Sequence, residues 1–357
     1  VFYAWSRVQM QSVFGNFMKE VFHRAGTMIL LLCLYLGYIN VEELIYSITG
    51  IYILRVIIMK LYAFSLRFPS FKTTRIPNLS SVLKYTSLII IAGSVANVIL
   101  EVDKFMLNRY VAIEYVAYYG VAIYIASVIG VPSRSMHQII SPLTAKFLNE
   151  KNKVELDKLY KRSSLSLFII SGFIFLLIIL NINELYSFIN ANYADGLLVV
   201  FVISLSKLTD SLLGNNNAIL FNSDYYRMVL VLGMFLAVLT VVLNIVFIPI
   251  YGINGAAFAT FLAILFYNIA KLWFVNVKLK MQPFTISTLK VLVLLIVCLG
   301  IFYFWDLPWH PIVNIGLKSF LITVFYGALV YKLNLSEDIS QLINNTLKRF
   351  KRENPAM

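Results

Sequence analysis

Several ionisable side chains lie inside long apolar stretches of this sequence, where a charge needs a partner or water. Arg55 lies near the middle of one such stretch, and Lys207 lies near the middle of another with Asp210 three residues further on. Ionisable groups are rare at membrane depth because hydrocarbon disfavours charge, and those that occur mark substrate or ion pathways. These residues therefore indicate binding and transport chemistry.

The cations among these residues are suited to an anionic substrate. The guanidinium fork of Arg55 matches phosphate oxygens, and a lysine offers a compact positive charge. The sequence predicts a substrate-binding set of four cations: Arg55, Lys104, Arg134 and Lys207. An ion pair with an acid on a neighbouring helix is the alternative for Arg55. Arg134 lies near the end of its apolar segment, where extension of its charge to the membrane surface is the alternative.

Three acids are candidates for coupling transport to an ion gradient, namely Glu101, Asp103 and Asp210. An intramembrane carboxylate that a proton or a sodium ion can neutralise is a common coupling group. Asp210 follows Lys207 at helical spacing, so an ion pair between these two residues is the alternative. Glu101 and Asp103 lie near Arg109 at the end of an apolar segment, and a solvated helix end is the alternative there.

Polar residues recur at helical spacing within two of the apolar segments. The first set is Ser87, Ser94, Asn97, Glu101, Lys104 and Asn108, and the second is Ser204, Lys207, Asp210, Gly214 and Asn217. These spacings place each set on one face of an α-helix. Because unpaired polar groups are unfavourable in lipid, such a face turns toward a bundle interior or a water-filled cavity. The two stripes therefore predict an internal cavity.

No pattern for covalent or metal chemistry is visible in the sequence. The histidines His23, His137 and His310 lie far apart, and Cys33 and Cys298 lie in separate apolar segments. A P-loop, an HExxH motif, a cysteine cluster and a G-x-S-x-G motif are all missing. We therefore expect no catalytic residues, metal or cofactor. A membrane polysaccharide polymerase or ligase is a rival, but it would need a larger outer loop than the sequence predicts.

The composition is that of a polytopic membrane protein. The 357 residues are 60% hydrophobic and only 13% charged, with a net charge of +13. Apolar segments of about 20 residues, enough for one bilayer crossing, recur along the chain. We predict ten spans, at 26–40, 43–65, 81–107, 114–140, 163–183, 196–221, 227–249, 252–275, 285–304 and 311–332. The predicted fold class is an all-α bundle of about ten transmembrane helices, and the positive charge lies in loops, so we expect no nucleic-acid partner.

The charges of the loops predict the orientation of the chain. Loops 67–84 and 143–162 are rich in Lys and Arg, whereas the intervening loops are acidic or uncharged. The positive-inside rule then places both ends of the chain in the cytoplasm, with the bundle in the cytoplasmic (inner) membrane. We interpret three further lysines as residues that extend their charge to the membrane surface: Lys271, Lys290 and Lys318.

Both ends of the chain are predicted to be amphipathic segments, and the fourth predicted span contains a proline. Residues 1–25 predict either an interfacial segment or the frayed end of an earlier helix, and the start at Val1 suggests an N-terminally truncated protein. Residues 336–357 predict a cytoplasmic tail helix, lying on the inner leaflet or docked on the bundle. Pro132 should kink or break the fourth span near the preceding turn.

Three stretches, in this order and spacing, resemble the polysaccharide-flippase branch of the MOP superfamily. They are EVDKFMLNRYVAIEYVAYYGVAIYIASV, SPLTAKFLNEKNKVELDKLYKRS and LNIVFIPIYGINGAAFAT. The first resembles the family's entry into its second lobe, where Asp103 matches an acid of the family. The second resembles a cytoplasmic loop with a basic helix, and the third resembles the turn between the lobe's fifth and sixth helices. This branch includes the O-antigen (Wzx-type) flippases and is related to lipid II flippases and MATE multidrug exporters.

The resemblance implies a division of the chain, because family members have 12 or 14 spans with two six-helix lobes. It implies the end of a first lobe at 1–66, a cytoplasmic linker at 67–80 and a complete second lobe at 81–280. An extra helix pair at 281–335 and the tail at 336–357 would follow, and the family's first four helices would be missing.

The resemblance also implies a function, which is alternating-access flipping of a polyprenyl-pyrophosphate-linked oligosaccharide for surface polysaccharide, including lipopolysaccharide O-antigen. The implied partners are the lipid-linked oligosaccharide, membrane lipid, a coupling proton or sodium ion, and other polysaccharide assembly proteins. A MATE-like multidrug or small-solute cation-coupled antiporter is the nearest rival and favours an acid-rich lumen. A non-transporting scaffold would leave the polar stripes unexplained.

Overall fold

The computed structural model of this chain is predominantly helical in the part of the chain that it describes. It describes residues 1–9, 11, 13–69, 78–80, 82–83, 86–87, 101–189, 191–305 and 308–341. These residues form helices, turns and short connections without a strand, which confirms the predicted all-α class. The chain divides into two compact units, residues 1–80 and residues 81–357.

The first unit is built around one long helix. Its elements are α1 (Phe2–Val8), α2 (Val13–Phe17), a π-helical turn (Met18–Phe22), α3 (His23–Tyr35) and α4 (Val41–Leu66). A capping box starts α4, since the Asn40 amide donates to Glu43 Oε2 at 2.8 Å. Near its other end, the Trp5 indole donates to the Arg67 carbonyl at 3.0 Å. The segment predicted to be interfacial or frayed therefore packs against α4.

The second unit contains the remaining helices. They are α5 (101–107), α6 (Ile113–Ser127), α7 (Val131–Asn149), α8 (Lys153–Ile189), α9 (Leu197–Leu212), α10 (Asn216–Asn222), α11 (Tyr226–Leu279), α12 (Ile286–Tyr303), α13 (Pro311–Lys332) and a tail helix from 337. Short 3₁₀ turns lie at Val128–Gly130 and Ala191–Gly196. The first of these turns ends two residues before Pro132, where the sequence predicts a kink or break in the fourth span, although Ile113–His137 still counts as one helix long enough to span a membrane.

Six of the described helices are long and apolar enough to cross a membrane, or seven if the bent pair α9–α10 counts as one span. The chain is therefore a multi-pass membrane protein. The ten predicted spans exceed this number for physical reasons. The first predicted span coincides with α3, which is too short to cross a membrane. Most of the third predicted span lies outside the described residues. Two further predicted spans are joined in the 54-residue α11.

Helix α11 doubles back on itself. Asn244 and Thr260 both donate to the carboxylate of Asp103, although a straight helix would separate them by about 24 Å. The reversal occurs at Gly252, whose φ of 55° and ψ of −130° suit glycine. A Cβ at Gly255 would overlap the Phe247 carbonyl, so glycine is needed there for close approach. The two halves correspond to the predicted spans 227–249 and 252–275, and the turn between them is confirmed.

Polar contacts tie α13 to α8 inside the second unit. The Lys318 ammonium lies 3.5 Å from the Glu184 carboxylate, and both side chains are largely buried. Asn181 Nδ2 donates to Ser319 Oγ at 3.2 Å. The interpretation of Lys318 as a residue that extends to the membrane surface is therefore wrong, because an internal acid holds its ammonium inside the bundle.

The start of the tail also packs on α8. Arg162 forms a two-pronged ion pair with Asp338. The Ser166 and Ser336 hydroxyls lie 3.4 Å apart, and Leu335 is buried in the core beside them. Docking on the bundle therefore describes the tail up to residue 341, and the basic end of the tail lies outside the described residues.

Candidate functional site

A cavity of about 790 Å³ opens within the second unit, and its lining includes Glu101 and Lys104 of the first predicted stripe and Lys207, Asp210, Gly214 and Asn217 of the second. Ser94 and Asn97 of the first stripe lie outside the described residues. Its charged lining residues are Glu101, Lys104, Arg134, Lys207, Asp210 and Lys271, and His137 lies with them. Five of the seven predicted site residues are therefore brought together. Asp103 is not among the lining residues, and Arg55 belongs to the unit formed by residues 1–80.

The charges that line the cavity are unbalanced. Each acid faces a lysine, since Glu101 lies 3.0 Å from Lys104 and Asp210 lies 3.7 Å from Lys271. Arg134 and Lys207 have no acidic partner among the described residues. The lining therefore contains four cations and two acids, and this excess of positive charge favours the binding of an anion.

A broken helix forms one wall of this cavity. Helices α9 and α10 meet at an angle of 53°, and Leu213, Gly214 and Asn215 lie between them. Gly214 has a φ of 56°, and a Cβ there would lie 2.6 Å from the backbone nitrogen of Ser164. Both the conformation and the close approach to α8 therefore require glycine. Discontinuous helices of this kind expose backbone polar groups to substrate and ion sites in transporters.

Three consecutive asparagines hold the break in place, each bonded to a different helix. Asn215 donates to Thr144 Oγ1 on α7 at 2.5 Å, and Asn216 donates to the Tyr160 hydroxyl on α8 at 2.7 Å. Asn217 Oδ1 accepts from the Lys271 ammonium on α11 at 3.2 Å. The sequence stripe identified Asn217 alone. The GNNN run that interrupts an apolar segment was the signal for the other two asparagines.

Lys271 lines the cavity but is not among the site residues predicted from the sequence. The interpretation of Lys271 as reaching the membrane surface is wrong, because its side chain is buried between Asp210, Asn217 and the Tyr267 ring, whose centroid lies 4.2 Å from Nζ. The pairing considered between Asp210 and Lys207 is also wrong, since Asp210 faces Lys271 instead. The burial of Lys271 and its pairing with Asp210 could not be predicted from the sequence, because Lys271 lies near the end of its predicted span.

Asp103 forms a separate polar centre inside the same unit. Its side chain is only 3% exposed. It accepts hydrogen bonds from Tyr119 Oη at 2.9 Å, Asn244 Nδ2 at 2.6 Å and Thr260 Oγ1 at 2.5 Å. The solvated helix end is therefore wrong for Asp103, whereas Glu101 has 67% of its side chain exposed.

The chemistry of this centre suits a small cation. The three groups around Asp103 are neutral, and two of them, Tyr119 and Thr260, bring hydroxyl oxygens close to its carboxylate. Asn244 Oδ1 is also buried and has no hydrogen-bond partner among the described residues. Hard cations such as sodium prefer oxygen ligands, and a proton can neutralise the same carboxylate. Among the described residues, no group of three or more His, Cys, Asp or Glu could hold a metal ion.

Arg55 lies on α4 in the first unit, half-buried. Its guanidinium carbon lies 5.9 Å from the centroid of the Tyr52 ring. No ion pair joins Arg55 to an acid among the residues that the structure describes. The contact between Arg55 and an anionic substrate therefore stays a prediction.

Comparison with known proteins places the fold. Residues 89–194 match the family model MatE. No curated protein matches the chain in a sequence search. Among solved structures, the chain is similar to "Lipid II flippase MurJ, inward closed conformation", with a TM-score of 0.67 and 13% identity over 93% of this chain and 70% of that one. The chain therefore has the helical fold of that structure, with a MatE match across its α5–α8 region.

Proposed function

We propose that this protein is a MOP-superfamily flippase that moves a polyprenyl-pyrophosphate-linked oligosaccharide across the cytoplasmic membrane by alternating access. The observation that carries this proposal is the excess of cations in the cavity. Lys207 and Arg134 are free of acidic partners among the described residues, so they can contact pyrophosphate oxygens. The fold shared with a lipid II flippase and the MatE match support the same conclusion.

The proposal extends to the coupling ion and to the layout of the chain. A proton or sodium ion at Asp103 would change the charge between α5, α6 and the two halves of α11, so its binding would favour one arrangement of these helices. Asp210 and Glu101 are weaker coupling candidates because each faces a lysine. We assign 1–66 to the end of a first lobe, 81–280 to a second lobe and 281–335 to an extra helix pair, with both ends in the cytoplasm.

The biological role that follows is surface polysaccharide synthesis, with O-antigen of lipopolysaccharide as the proposed product. The test is deletion of the full-length gene in its host, followed by leaflet assignment of the lipid-linked oligosaccharide. We expect it to accumulate on the cytoplasmic leaflet and wild type to restore export. Lys207→Ala and Arg134→Ala should fail to restore export, because each removes a cation from the anion site.

Matched controls separate the cavity from general charge loss. Lys290 and Arg227 are exposed and lie outside the cavity lining, so Lys290→Ala and Arg227→Ala should restore export at equal expression. Normal surface glycan in the deletion strain, without a second flippase present, would refute the proposal.

A cation-coupled antiporter is the second candidate, and the buried Asp103 favours it because such transporters need a coupling acid. The excess of positive charge in the cavity opposes cationic drugs as its substrates. Loss of sodium- or proton-driven drug export in the deletion strain, with normal surface glycan, would select this candidate.

A further inference from the structure

A second cavity lies at a different end of the same unit and has another chemical character. It has a volume of about 560 Å³ and is lined by Tyr110, Tyr115, Asp195, Tyr251 and Asn254, together with residues 111–112 and 252–253. Among the described residues, this lining offers a carboxylate, an amide and three phenols, but no cation. This composition disfavours a phosphate and suits a neutral ligand that is rich in hydroxyl groups.

The cavity is built where three chain reversals meet. These are the connection between α5 and α6, the 3₁₀ turn Ala191–Gly196 and the reversal of α11 at Gly252. Gly252 brings Tyr251 and Asn254 to the wall, and a Cβ at this position would lie 3.4 Å from Val111 Cγ1. That distance is an ordinary contact, so it is the positive φ of Gly252 that disfavours any other residue. The backbone conformation at Gly252 therefore sets the positions of Tyr251 and Asn254 in the cavity wall.

Two of the three tyrosines are held by other aromatic rings. The Tyr115 ring packs edge-on against Tyr118 at 5.6 Å between centroids, and Tyr118 packs against Tyr193 in the 191–196 turn at 5.1 Å. The Tyr251 ring stacks on Phe247 at 6.3 Å. Tyr115 and Tyr251 nevertheless remain 42% and 58% exposed, so they keep surface available for a ligand. Aromatic walls that are fixed before binding lose little freedom when a ligand arrives.

Polar groups complete the wall. Asp195 is exposed, and its carboxylate can accept hydrogen bonds from hydroxyl groups. Asn254 also lines the cavity and adds an amide to its wall. A small-molecule site typically combines aromatic surface with a few placed polar groups in about 300–1,000 Å³. Tyrosines at a membrane interface can also form an aromatic belt, but belt residues do not need a concave wall with an acid and an amide.

We propose that this second cavity is a carbohydrate subsite, in which Tyr115 and Tyr251 contact the C–H face of a sugar ring while Asp195 accepts hydrogen bonds from its hydroxyl groups. The negative face of an aromatic ring suits the weakly positive C–H groups of a pyranose. This inference rests on the proposed function. It adds that the oligosaccharide of the cargo is recognised here, separately from the pyrophosphate, at the end of the unit that the loop charges predict to face outward.

The test uses the full-length protein in lipid nanodiscs. The probe is the lipid-free oligosaccharide released by mild acid from the polyprenyl-linked pool of the host, and titration calorimetry measures its affinity. We expect wild type to bind it. Tyr115→Ala with Tyr251→Ala should weaken binding about tenfold or more, and Asp195→Asn should weaken it as well. Tyr115→Phe should retain binding because it keeps the ring.

Tyr124→Ala is the matched control, since Tyr124 lies on the same helix, is 77% exposed and does not line the cavity. Equal affinity in wild type and the double alanine variant, or no binding to wild type, would overturn the subsite. A separate flipping assay in vesicles reports on the proposed function. Flipping without binding of free glycan refutes the subsite alone, and binding without flipping refutes the proposed function alone.

Discussion

The Lys271 ammonium lies 3.7 Å from the Asp210 carboxylate, and the two partners differ strongly in exposure. The lysine side chain is 2% exposed, whereas the aspartate is 48% exposed and faces the cavity. Removing the aspartate would leave a buried cation, but removing the lysine would leave an acid that water can still reach. The two partners should therefore respond differently to substitution.

We expect Asp210→Asn to lower the thermal unfolding temperature more than Lys271→Met does. Breaking a buried pair by removing one partner destabilises by roughly 3–5 kcal/mol when the remaining charge stays buried. The double variant Asp210→Asn with Lys271→Met should recover most of the loss. Thermal unfolding followed by tryptophan fluorescence measures all three. Equal losses in the two single variants, without recovery in the double variant, would contradict this account of the pair.

We expect Asp103 to be the residue through which sodium ions or protons affect substrate transport. Asp103→Asn keeps the size and an acceptor oxygen but removes the charge that attracts the cation. We expect substrate transport in vesicles to depend on a sodium or pH gradient in wild type and to lose that dependence in Asp103→Asn. Glu114→Gln is the control, because Glu114 is exposed and lies outside the lining of both cavities. Unchanged gradient dependence in Asp103→Asn would refute this assignment.

Gly214 should tolerate no side chain. Gly214→Ala places a Cβ 2.6 Å from the Ser164 backbone and also requires an unfavourable φ. The backbone strain alone is worth about 1–3 kcal/mol, so we expect lower stability and loss of transport. At Gly233, a Cβ would meet no atom within 4 Å, so Gly233→Ala should be stabilising by about 0.5–1 kcal/mol. Similar unfolding temperatures for the two variants would show that the break is not held as described.

The ion pair between Arg162 and Asp338 should keep the start of the tail on α8. Arg162→Asp should release it by placing two acids together, and adding Asp338→Arg should restore the contact. Limited trypsin digestion in detergent measures the release, since cleavage near the C-terminus should speed up in the single variant alone. The same cleavage rate in wild type, the single variant and the double variant would indicate that buried Leu335 and Ser336 hold the tail without the ion pair.

The sequence predicted the helical class and much of the cavity because polar residues at helical spacing in apolar segments must face one another or water. Lys104, Arg134 and Lys207 were found in this way. Lys271 and the environment of Asp103 were missed because both depend on distant segments. Asp103 is buried by groups on α6 and on both halves of α11, and a position near a predicted helix end gives no sign of such partners.

The buried pair between Glu184 and Lys318 bears on how the protein is made. Chains are synthesised from the N-terminus, so α8 with Glu184 leaves the ribosome well before α13 with Lys318. Until Lys318 arrives, the Glu184 carboxylate lacks the cation that accompanies it in the finished bundle. We therefore expect α8 to reach its final packing only after α13 has been inserted, and nascent chains that stop before α13 should be substrates for membrane quality-control proteases.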